Sequence, residues 1–140
     1  MDLLSQISKI KDVEGCIVTS VVRPGFFFLF AVDIIQSIEN KELDITILYD
    51  LLNNENPTIF CLCVYCIFFI DESEGMKIIV AHLKDQREIS YRPFGCVGLL
   101  KTVSYFCAEI GRNKYILGNP LNYNRYTKDI AMMRRIISLY

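Results

Sequence analysis

The sequence predicts an α+β domain in which a central, mostly antiparallel sheet is flanked by helices. Three observations carry that prediction. Apolar residues recur at helical spacing in several segments. Two dense β-branched and aromatic runs, Cys16 to Val22 and Thr58 to Ile70, lie between turn formers. Finally, the 140 residues hold no linker, repeat or low-complexity tract, so residues 1–140 read as one domain.

Asp2 to Lys11 places Leu3, Ile7 and Ile10 on one helical face, with Ser5, Lys9 and Lys11 opposite. Cys16 to Val22 follows as a strand, closed by Arg23-Pro24-Gly25. Phe26 to Ile38 is compatible with strand or helix; its length, and Phe27, Phe30, Ile34 and Ile38 at helical spacing, favour a helix. Asp44 then caps a helix striped by Ile45, Leu48, Leu51 and Leu52, stopped by Asn53-Asn54-Glu55-Asn56-Pro57.

Thr58 to Ile70, TIFCLCVYCIFFI, reads as a strand buried on both faces. Asp71-Glu72-Ser73-Glu74-Gly75 reads as its turn and Met76 to Leu83 as a second strand, giving an antiparallel hairpin. Glu88 to Tyr91 is a short third strand. After Arg92-Pro93-Phe94-Gly95, a helix from Val97 to Ile110 aligns Leu100, Val103, Cys107 and Ile110, with Gly111 as its terminator. Tyr115 to Leu117 is a short strand. A helix from about Thr127 closes the chain, with Ile130, Met133, Ile137 and Tyr140 aligned.

Composition narrows the function classes. Fifteen basic and sixteen acidic side chains give a net charge of −1, so no general field draws nucleic acid or an anionic membrane to the chain. Arg125, Lys128 and Arg134-Arg135, beside Tyr123 and Tyr126, form only a modest basic stripe, whose default reading is a solvated helix face. The apolar runs fall short of the about 20 residues that a spanning helix needs, and MDLLSQISKIKD lacks the form of a signal peptide. The expectation is a cytoplasmic protein with reduced thiols and no membrane or specific nucleic-acid partner. A mean hydropathy of +0.30 calls for a sizeable core or an apolar partner surface.

Candidate chemistry is sparse. Cys61-x-Cys63-x-x-Cys66 has the look of a metal site, but three thiols on a strand would alternate between faces, and core packing is the better reading. His82, the only histidine, sits in an apolar segment without a nucleophile elbow. Asp71, Glu72 and Glu74 do not match a calcium loop. The most informative segment is Arg92-Pro93-Phe94-Gly95-Cys96-Val97-Gly98. Glycines at a strand-to-helix junction let backbone approach a ligand, and free amides at the helix start bind anions. The plain alternative is a tight turn.

In their order these elements resemble the GCN5-related N-acetyltransferase (GNAT) fold. The strand at Cys16 to Val22 and two following helices look like that family's start. The hairpin from Thr58 to Leu83 is similar to its central antiparallel strands. Arg92-x-x-Gly95-x-Val97 is similar to its acyl-CoA pyrophosphate loop. The resemblance implies acetyl-CoA as the cofactor if the chain is active. Arg92, Gly95, Val97 and Gly98 would then hold the pyrophosphate, Tyr126 or Tyr123 would protonate the leaving thiolate, and Glu88 is the candidate base. Val97 departs from the small residue expected there, and Gly98 is displaced by one position, so the site reads as degenerate. The implied role is a structural or protein-interaction component, like the small phage virion-associated domains, requiring no cofactor and working through protein partners or self-association in the host cytoplasm or virion. An active acetyl-CoA-dependent N-acyltransferase and an unrelated α/β adaptor are the alternatives.

Overall fold

The computed structural model describes residues 16–18, 26–92, 99–115 and 119–120. Its element order is β1 (Cys16–Val18), α1 (Phe26–Glu39), α2 (Thr46–Leu51), α3 (Pro57–Ile70), α4 (Glu72–Ala81), β2 (Glu88–Arg92), β3 (Leu99–Thr102) and α5 (Val103–Arg112). The α+β class holds, with helix predominating over a three-stranded sheet of order β1-β2-β3. That sheet is mixed rather than mostly antiparallel. β1 runs parallel to β2, pairing Cys16 with Ser90 and Val18 with Arg92, whereas β3 is antiparallel to β2, pairing Glu88 with Thr102 and Tyr91 with Leu99. A parallel pair requires a long crossover, and α1 to α4 supply it.

The expected helix at Phe26 to Ile38 forms as α1. Its buried face is centred on Phe27, Phe28, Ala31, Ile34 and Ile35, with Phe30 and Ile38 only half-buried. Beyond α1 the chain reverses through Lys41, which adopts the left-handed backbone at φ 61°. The expected cap, Asp44, lies one residue ahead of the cap position: Ile45 caps α2 without a side-chain bond, and Asp44 Oδ1 accepts a hydrogen bond from the Thr46 amide at 2.9 Å in the turn that leads in.

The expected β-hairpin from Thr58 to Leu83 is instead a pair of helices. The local reason is capping. Asn56 Oδ1 accepts from the Thr58 amide at 2.9 Å, and Pro57, which lacks an N–H and has a helix-compatible φ, opens α3. The tertiary reason is encirclement. α3 packs against α1, α2, α4, α5 and β2, and every residue from Thr58 to Phe69 is buried. A helix covered on all sides has no polar stripe, so nothing in TIFCLCVYCIFFI betrays a 3.6-residue period.

The acidic run read as a turn is the start of α4. Asp71 Oδ1 accepts from the Glu74 amide at 3.3 Å, and Glu72 and Glu74 lie in the first turn, where negative charge favours the helix N-terminus. Gly75 sets the crossing of the two helices. A Cβ there would stand 2.4 Å from Phe68 Cα, so only glycine permits this approach.

The helix expected from Val97 starts later. Leu99–Thr102 is β3, and α5 begins at Val103 with Thr102 as its cap. Val103, Cys107 and Ile110 do face the core, joined by Phe106, while Leu100 is exposed on the strand. Gly111 lies within α5 rather than ending it, and faces Ile79 of α4. Tyr115 lies in a turn after α5, while residues 116–117 of the expected strand, and the expected helices at Asp2 to Lys11 and from Thr127, lie outside the described residues.

Aromatic rings tie the layers together. Phe27 of α1 meets Tyr65 of α3 at 6.1 Å and Phe106 of α5 at 5.7 Å, and Tyr65 meets Phe69 at 4.9 Å. Among the described residues no helix is long and apolar enough to cross a membrane.

Candidate interaction surface

The groups named from sequence are not gathered into one site by the described residues. Glu88 and Arg92 mark opposite ends of β2, about 13 Å apart at the ordinary strand rise. Gly95, Val97, Gly98, Tyr123 and Tyr126 lie outside the described residues.

The junction on which the anion argument relied has a different form. Residues 93–98 connect two antiparallel strands, β2 and β3, rather than a strand and a helix. At the start of α5 the amides are already engaged within the protein. Val103 N–H donates to the Arg87 carbonyl at 2.9 Å, Ser104 N–H to the Asp85 carbonyl at 3.0 Å, and Tyr105 N–H to Thr102 Oγ1 at 3.1 Å. The physical reason for a phosphate cradle, free amides at a helix start, is therefore not met at this helix.

The carbonyls of Asp85 and Arg87 belong to a compact latch between α4 and β2. Arg87 grips Asp85 through both carboxylate oxygens, with Nε at 3.0 and 3.1 Å and Nη2 at 2.8 Å, and its guanidinium lies 4.8 Å from the centre of the Phe60 ring. The guanidinium holds the Asp85 carboxyl below its ordinary range, and the carboxylate in turn raises Arg87. His82, expected in a strand, caps the C-terminus of α4. Its ring packs on Phe60 at 4.5 Å, and its Nδ1 lies 2.9 Å from the Ile78 carbonyl. Each of these groups acts on its neighbours, pinning the helical pair to the sheet.

Cys61, Cys63, Cys66 and Cys107 are buried free thiols. Burial pushes Cys63 and Cys107 up to about 12 and raises Cys61 and Cys66 as well. A thiol so raised stays protonated near neutral pH and is a poor nucleophile. The core-packing reading is the one that the geometry bears out, although on a helix rather than a strand.

What remains unabsorbed by the core is a ridge on α4. Leu83 is 48% exposed in the turn beyond the His82 cap, and on α4 itself Gly75 and Ile79 face inward while Met76 and Val80, at i and i+4, are 39% and 63% exposed. Such spacing aligns side chains along one flank of a helix. Met76 borders α5, its Sδ lying 3.9 Å from where a Gly111 Cβ would be. The salt bridges on these two helices are internal: Lys77 to Glu74 at 3.0 Å on α4, and Arg112 to Glu109 at 2.6 Å on α5. The strand expected over Met76 to Leu83 hides the pair, because Met76 and Val80 on a strand share a face but stand about 13 Å apart. The available signal was Asp71-x-x-Glu74, a cap with an acid three residues on.

A second exposed apolar residue, Leu100, is 73% exposed on β3, while Tyr105 stacks edge-on with Tyr91 at 5.6 Å and carries Lys101 4.6 Å above its ring.

Comparison of the chain with protein-family models, curated proteins and solved structures gives no match.

Proposed function

We propose that this chain is a protein-interaction component that docks through Met76 and Val80 on the exposed flank of α4, together with Leu83 in the turn after it. The observation that supports this reading is the pairing of Met76 and Val80, exposed one turn apart on a helix whose opposite face is locked to the core at Gly75, with Leu83 exposed in the turn that follows. A large apolar side chain contributes about 1.5–3 kcal/mol when taken fully from water into a packed contact. Two half-covered ones one turn apart on α4 therefore offer a modest apolar anchor. Scattered single apolar residues would need no such account.

The test is a photoreactive residue introduced at Val80, with a control at exposed Lys41, in cells that make the protein. Protein adducts formed from position 80 and not from 41 are expected. Equal adducts from both positions, or none from 80, would overturn the reading.

The competing acyl-CoA reading rests on Arg92, Gly95, Val97 and Gly98 and is met directly by calorimetry with acetyl-CoA. Saturable one-site binding at micromolar concentration, lost in Gly95→Asp, would favour an N-acyltransferase. Absence of heat with a positive crosslink at position 80 is the expected pair of results.

A further inference from the structure

We draw no further inference here: the strongest candidate, the exposed apolar ridge of α4 with the edge of α5 at Gly111, belongs to the surface already described, and nothing in the structure shows which partner covers it.

Discussion

α3 and α4 are successive helices joined only by Asp71, yet their surroundings differ completely. α3 is enclosed by four other helices and a strand, and its buried positions run unbroken from Thr58 to Phe69. α4 commits only Gly75 and Ile79 to full burial and presents Met76 and Val80 outward, with Leu83 exposed in the turn after it. The two helices therefore use apolar residues for different purposes. In α3 they hold the fold; in α4 the exposed ones contribute little to it, and the docking proposed above rests on them.

Substitutions along the two helices should separate these roles. The largest effect is expected from Leu62→Ala, at a fully buried position of α3, which should lower unfolding free energy in urea by about 2–5 kcal/mol. Gly75→Ala comes next. Alanine is the better helix former by about 1 kcal/mol, but its Cβ would meet the Phe68 backbone at 2.4 Å. A net loss of about 2 kcal/mol is therefore expected, and a gain in stability would mean that the helices do not cross as described. Asp71→Ala removes the N-cap of α4 and should cost about 1 kcal/mol. Val80→Ala should change stability by no more than about 0.5 kcal/mol while reducing the partner contact. A core-sized loss at Val80 would erase the contrast between the helices.

Two chemical probes sharpen the same comparison. Alkylation at pH 8 should leave Cys61, Cys63, Cys66 and Cys107 unmodified until denaturant is added, as read by mass spectrometry of their peptides. Early modification of the three α3 thiols would show that the central helix opens readily. The latch at the foot of α4 has a pH signature. Because Arg87 lowers the folded-state pKa of Asp85, their pairing stabilises the fold above the ordinary carboxylate range and is lost as pH falls through the lowered value. Asp85→Asn should flatten the stability profile below about pH 4, with neutral-pH stability reduced as well. An unchanged acid limb would assign the acid sensitivity elsewhere.

Much of the fold was legible where one face of an element is wet. α1 showed helical spacing, Asp44 announced α2, and Glu88 to Tyr91 was read correctly as a strand. The errors fall where that contrast disappears. Thr58 to Ile70 has no polar face, so β propensity and helical capping pointed in opposite directions, and Asn56-Pro57 proved the better guide. Val97 to Ile110 gave a continuous helical pattern because Leu100 of β3 falls by chance in register with Val103 of α5; Thr102, the cap, marks the true boundary. The apolar ridge was hidden by the same error that turned α4 into a strand. Met76 and Val80 stand one turn apart on the helix but would be about 13 Å apart on a strand.

The sequence by itself determined the α+β class, the near-neutral charge and the packing role of the four described thiols, because these follow from local chemistry and composition. Tertiary structure alone decided that the helix opened by Asn56-Pro57 is the central, enclosed one, that β1 joins β2 in parallel, and that residues 93–98 link two strands. Those outcomes depend on which surfaces meet across distant parts of the chain. A run of apolar residues states that it will be buried, and only its neighbours decide in what shape.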